Sequence, residues 1–192
     1  MKILNKKSSK LNKGVSLLLA LAIFVVAMVI DLPDGSSEVN AYCEPVLQID
    51  AHVQDYGWDP SYYAYCPSGK CAVAGTTGQA KRLEAIRIGI GNTGNVDGYI
   101  CAEVRYFDGK TCKIKERPGS SRLICGTVGE SKPIEAIRLW FEGEMGRAYR
   151  LSYTVHVQDK GWLDGGRWIP AGNWAGTRGN NLRLEAIKVR FN

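Results

Sequence analysis

The chain has only two histidines, His52 and His156, and they stand in near-identical surroundings. A Ser-His-Asp or Cys-His site needs one histidine set apart by its neighbours, which two repeat copies do not offer. A His-Glu-x-x-His motif, a P-loop and a dinucleotide fingerprint are all missing. None of the six cysteines has the Cys-x-x-Cys spacing of a structural zinc site. The sequence therefore gives no reason to expect a catalytic residue, a metal or a cofactor. There is no basic tract either. The whole chain carries +6, but five lysines against three acids in residues 1–41 account for two of these charges. The rest holds 20 basic and 16 acidic residues, interspersed. Nucleic-acid binding by counterion release wants clustered Lys and Arg, so nucleic acid is not expected as a partner. No segment after residue 41 repeats its apolar residues with a helical period.

Only one long apolar run exists, from Val15 to Ile30, interrupted by Ser16 alone. It is short for a membrane span of about 20 residues and normal for a secretory leader. Lys2, Lys6, Lys7, Lys10 and Lys13 precede it, and Val39-Asn40-Ala41 offers a cleavage site. Residues 1–41 are thus expected to be a signal peptide, or an N-terminal anchor if uncleaved, the only case that involves a membrane. Residues 42–192 form one domain. A secreted or cell-surface location makes the six cysteines disulfide candidates. Cys66 with Cys71 is the first pairing, across the turn-rich Pro-Ser-Gly-Lys, and Cys112 with Cys125 the next local choice. That leaves Cys43 with Cys101.

What the sequence has in abundance is repetition. Gly75-Thr76-Thr77-Gly78, Gly126-Thr127-Val128-Gly129 and Gly176-Thr177-Arg178-Gly179 share one pattern, read as a Gly-rich turn. Nine residues after each first glycine come Glu84-Ala85-Ile86, Glu135-Ala136-Ile137 and Glu185-Ala186-Ile187. Upstream, Ala51-His52-Val53-Gln54-Asp55-Tyr56-Gly57-Trp58 matches Val155-His156-Val157-Gln158-Asp159-Lys160-Gly161-Trp162. The middle copy, Ala102-Glu103-Val104-Arg105, is degenerate, and Gly109 falls where Trp is expected. Three repeats result, at about 46–91, 98–142 and 149–192.

Each repeat reads as short strands. Tyr153, Val155 and Val157 alternate with Thr154, His156 and Gln158, the period of a half-buried strand. In the last strand Leu184 and Ala186 share a face while Ile187, Val189 and Phe191 carry the apolar set onward on the other. Leu83/Ala85 and Ile134/Ala136 are followed by the same slip, which predicts a β-bulge at each Glu-Ala. Three small sheets that close on one another predict an all-β, three-fold pseudo-symmetric domain, prism-like, with a β-trefoil as the alternative.

His-Val-Gln-Asp-x-Gly-Trp, then Ala-Gly-Thr-x-Gly, then Leu-Glu-Ala-Ile-x-(Ile/Val), resembles the clostridial hydrophobic repeat with a Trp, the ChW repeat. His52 to Ile90 and His156 to Phe191 carry the resemblance. Ile100 to Phe141 shares its second half and departs in its first, where Glu103 replaces His. The resemblance implies a secreted or surface-exposed protein of Gram-positive type and a role in adhesion or polymer binding.

The ligand-binding candidates are the polar pairs His52/Gln54 and His156/Gln158, opposite the apolar face of their strand, and Trp58 and Trp162 just beyond. Polar donors beside an aromatic ring suit a sugar, whereas the same residues serve equally as packing that holds each repeat together. Trp168 and Trp174, flanking a loop, and Trp140, on the outward phase between Leu139 and Phe141, complete the set. Glu84, Glu135 and Glu185 are too far apart in a symmetric scaffold for paired carboxylate chemistry. Each is expected to accept hydrogen bonds from backbone freed by the bulge, or to pair with a nearby Arg. The expected function is non-catalytic binding of an extracellular glycan or cell-surface polymer, with a surface protein as the alternative partner.

Overall fold

A computed structural model describes residues 26–29, 39–42, 45–58, 64–67, 70–119 and 123–191. The chain divides into two units, Met1–Cys43 and Glu44–Asn192. In the first, β1 (Val26–Val29) pairs antiparallel with β2 (Val39–Tyr42). Most of the expected leader lies outside the described residues, as do Tyr62, Tyr63 and the side chains of Tyr65 and Cys66.

The second unit is all-β, as the alternation predicts. Its first repeat supplies β3 (Val46–Val53), β4 (Gly57–Trp58), β5 (Ala64–Pro67), β6 (Cys71–Gly75) and β7 (Leu83–Gly91). The second supplies β8 (Gly98–Tyr106), β9 (Thr111–Glu116), β10 (Leu123–Gly126) and β11 (Ile134–Gly143). The third supplies β12 (Leu151–Val157), β13 (Gly161–Trp162), β14 (Ile169–Pro170), β15 (Ala175–Gly176) and β16 (Leu184–Phe191). One helical turn, α1 (Met145–Ala148), interrupts the β pattern where Met145 is drawn into the core and its N–H reaches the Asp97 carbonyl at 3.0 Å.

Three antiparallel sheets form, and none is made by one repeat alone. Sheet one has the order β10-β7-β3-β4, with β5 also on β3; sheet two runs β15-β11-β8-β9; sheet three runs β13-β12-β16-β6, with β14 also on β12. The second repeat thus lends β10 to sheet one, the third lends β15 to sheet two, and the first lends β6 to sheet three. Each loan covers a strand edge that would otherwise be open. The expectation that each repeat folds its own sheet is corrected here, and so is the reading of Gly-Thr-x-Gly as a simple turn. Its first glycine ends the lent strand.

That glycine has a steric reason. Gly75, Gly126 and Gly176 sit at φ of +96°, +127° and +117°, and a Cβ on each would lie 2.5, 2.4 and 2.3 Å from the carbonyls of Glu185, Glu84 and Glu135. The following residues bond those same carbonyls, with Thr76, Thr127 and Thr177 N–H groups at 2.9, 3.0 and 3.2 Å. Only glycine permits that approach.

The predicted bulges are present in all three repeats. Register slips between Leu83 and Ala85 opposite Val53 and His52, between Ile134 and Ala136, and between Leu184 and Ala186, so each glutamate is the extra residue. The slip lets Leu83 share the inner face with Ile86, Ile88 and Ile90. These pack with Leu47, Ile49, Ile100, Val104, Ile137, Leu139, Tyr153, Val155 and Phe191 into one core spanning all three sheets. Each such fully buried aliphatic side chain contributes roughly 1.5–3 kcal/mol.

Candidate functional site

The outward faces of the sheets carry the polar and aromatic residues. Inner positions of β3 are Leu47, Ile49, Ala51 and Val53, so Asp50 and His52 face out, and His52 stands opposite Trp58 across the β3–β4 hairpin. The His52 ring meets Trp58 edge-on with centroids 5.3 Å apart, and its Nδ1 lies 3.0 Å from Glu84 Oε2. The other carboxylate oxygen of Glu84 accepts both Arg82 Nε and Nη2, at 2.9 and 2.7 Å. Arg87, opposite Asp50, lays its guanidinium 4.4 Å from the Trp58 ring centroid and pairs with the Asp50 carboxylate. Cation, aromatic ring and histidine form one half-buried cluster on the outside of sheet one, outside the core.

The third repeat builds the same cluster. His156 meets Trp162 at 5.5 Å, its Nδ1 is 3.1 Å from Glu185 Oε2, and Arg183 donates to Glu185 Oε1 at 2.9 Å. Lys188 replaces Arg87, with its ammonium 4.6 Å from the Trp162 centroid.

The second repeat differs in a way its sequence conceals. Arg105 stands opposite Ala136, as His52 stands opposite Ala85 and His156 opposite Ala186. The histidine counterpart is therefore Arg105, not Glu103, and the Trp position is held by Thr111, not Gly109. Glu103 takes the place of Asp50 and accepts Arg138 Nε and Nη2 at 3.0 and 2.6 Å. Pro133 occupies the position of Arg82 and Arg183, so Glu135 has no arginine there. Its Oε1 instead accepts the Asn180 and Asn181 N–H groups at 2.7 and 3.0 Å, while Arg105 Nε stays 3.6 Å from Oε2. The bulge glutamates of the outer repeats thus pair with an arginine as expected, whereas Glu135 takes its backbone donors from the third repeat and not from the bulge.

Other candidates scatter. Gln54 and Gln158 lie past the ends of β3 and β12, in the turns, where their N–H groups bond the Arg82 and Arg183 carbonyls at 3.0 and 2.9 Å. Trp168 and Trp174, six residues apart, serve different sheets. Trp168 lies 4.7 Å beneath Arg190 on sheet three and Trp174 4.9 Å beneath Arg138 on sheet two. The segment between them is not a plain loop, because β14 pairs with β12. Trp140 does face outward. It sits between Arg138 and Lys113, at 5.3 and 5.2 Å, and donates Nε1–H to Glu142 Oε1 at 3.0 Å.

The expected disulfides are not formed among the described residues: Cys71, Cys101, Cys112 and Cys125 are free thiols. Cys66 lies on β5 of sheet one and Cys71 on β6 of sheet three. Cys101 is buried on β8 between the Trp140 and Lys115 positions, and burial together with the nearby Glu142 carboxylate pushes its thiol up to about 12. Cys43 lies outside the described residues. Cys112 and Cys125 are neighbours, the Cys125 thiol donating to the Cys112 carbonyl at 3.2 Å, yet they remain unbridged.

This is a β protein built from repeats that exchange strands and display a Trp–His–cation cluster on the outside. Residues 52–92 and 156–192 match the family described as Clostridial hydrophobic W, and the chain carries ChW repeats at these two segments. No curated protein and no solved structure matches the chain. The cations were the signal missed in the sequence. Arg87, Arg138 and Lys188 follow each Glu-Ala-Ile by one residue and could have been read as a repeated outward charge.

Proposed function

We propose that the three sheets are the faces of a β-prism and that the protein is a secreted or surface-held, non-catalytic module binding an extracellular glycan or cell-surface polymer. The observation that carries this reading is the duplicated outer cluster, Trp58 with His52 and Arg87, and Trp162 with His156 and Lys188. Ring edges beside fixed hydrogen-bond donors and cations suit the apolar faces and hydroxyls of sugars. Two copies on one rigid scaffold would strengthen binding to a repeating polymer by raising the local concentration of the second contact. The test is titration of the protein with a panel of soluble glycans and cell-wall fragments, followed by Trp fluorescence. Folded Trp58→Ala and Trp162→Ala variants are each expected to lower apparent affinity for the polymer, and the double variant to abolish it. A flat response across the panel overturns the glycan reading.

A second reading, a protein partner, is favoured by one observation. Ile124 and Val73, on the lent strands opposite Arg87 and Lys188, are 46% and 40% exposed. Capture of one defined surface protein, undiminished by competing sugars and lost in Ile124→Ser, would support that reading instead.

A further inference from the structure

The three outer faces differ in how the repeated cation is neutralised. Arg87 is held by Asp50 directly opposite, and Arg138 by Glu103 directly opposite. In sheet three the residue opposite Lys188 is Thr154. No carboxylate among the described residues lies within ion-pair distance of Lys188. Two positions along the same strand, Arg190 replaces Gly89 and Trp140 of the other repeats, and it too has no acidic partner among the described residues. Its Nε donates to the Ser152 hydroxyl at 3.3 Å.

Thr154 supplies an independent observation. It is 0% exposed, and its hydroxyl has no hydrogen-bond partner among the described residues. Its inner-facing neighbours Tyr153 and Val155 lie in the core, so Thr154 points to the outer face beneath Lys188. A buried hydroxyl without a partner is costly and uncommon. Sheet three therefore has the cation of the repeat, a second cation beside it, a donor left unused, and a tryptophan under each cation, Trp162 and Trp168. What it lacks is the carboxylate that the other two repeats provide from their own chain.

We propose that this carboxylate comes from the ligand: sheet three binds an acidic glycan, a chain of carboxylate-bearing sugars, through Lys188 and Arg190, with Thr154 turned to the bound acid. This rests on the glycan reading and names the class of sugar and the face it uses. The two cations, on alternate residues of one strand, are about 7 Å apart at the backbone, a spacing at which both can engage one polyanionic chain.

The experiment uses the full chain and oligogalacturonate, with its methyl ester as the uncharged counterpart. Binding is followed by calorimetry and Trp fluorescence. The acid is expected to bind roughly tenfold or more tightly than the ester, because a charge-assisted hydrogen bond is lost on esterification. Thr154→Asp installs the carboxylate that the first repeat has at Asp50 and should remove that preference. Lys160→Gln, at an exposed turn, makes the same change in net charge and should keep it. Near-ultraviolet circular dichroism checks that both variants are folded, and Lys188→Met serves in place of Thr154→Asp should that variant not fold. Equal binding of acid and ester overturns the proposal and leaves the glycan reading standing. Equal losses in Thr154→Asp and Lys160→Gln also overturn it, since the attraction would then come from net charge alone. Binding of neither probe, together with a flat neutral-glycan panel, removes the glycan reading itself.

Discussion

Tyr153 is the residue on which two sheets meet. It is fully buried, its hydroxyl donates to the Asn173 carbonyl at 2.5 Å and accepts the Leu139 N–H at 3.0 Å. The lent strand β15 pairs with β11 only at Ala136 and Ile137, so Leu139 lies beyond its reach. The tyrosine hydroxyl takes over there, and the Gly172 N–H takes the Leu139 carbonyl at 2.8 Å. Tyr153→Phe keeps the ring and strands a buried N–H. We expect a loss of about 1–3 kcal/mol, read as a lowered urea midpoint at unchanged slope. Glu142 is a residue of the opposite kind, partly open to solvent. Bonds from Lys115 first, then from the Trp140 indole, hold its carboxyl down at about 2, below its ordinary 4.5. A carboxyl depressed on folding stabilises the protein above its unfolded pKa and loses that contribution as pH falls through the folded one. The stability gap between wild type and Glu142→Gln should therefore be constant above about pH 5.5 and close as pH falls from 4.5 toward 2. A gap that widens on acidification would contradict the assignment.

At the scale of elements, the bulge and the lent strand are one device. The extra glutamate turns its carbonyl toward the neighbouring repeat, and the glycine ending the lent strand comes close enough for the next N–H to bond it. Gly126→Ala places a methyl against Glu84 and Ala85 backbone and should cost about 3 kcal/mol or more, with β10 displaced from sheet one. Gly129→Ala is the control. It has φ of +78° but nothing within 4 Å, so only the backbone conformation is strained, at about 1 kcal/mol. Urea denaturation of both variants separates the two terms. The bulge itself was legible in the sequence because burial is periodic. An inserted residue moves Ile86, Ile137 and Ile187 to the other phase, and three copies of the same slip leave no other cause. The lending of strands was not legible, because β6, β10 and β15 are short and carry no mark of which edge they join. The middle repeat was misaligned for a related reason. Arg105 and Thr111 share no chemistry with His and Trp, and only the opposing Ala136 fixes their place. The outward Trp–cation pairs escaped notice because half-buried rings and core rings look alike in a strand pattern.

Across the whole second unit, no sheet is complete without another repeat, and the core is a single cluster. Unfolding should therefore be one transition, with Trp fluorescence and far-ultraviolet circular dichroism tracing coincident urea curves. Three separable steps, one per repeat, would contradict this account. The strand exchange also limits what gene duplication can do with such a chain. The loans run from second repeat to first sheet, third to second and first to third, and the circuit has no free end. A fourth copy could enter the circuit only by lending its strand to sheet three in place of β6, which would draw Ala72 and Ala74 out of the core that the three sheets now share. Growth by whole triplets would leave every loan and each three-sheet core intact, so descendants that keep this core should count their repeats in threes.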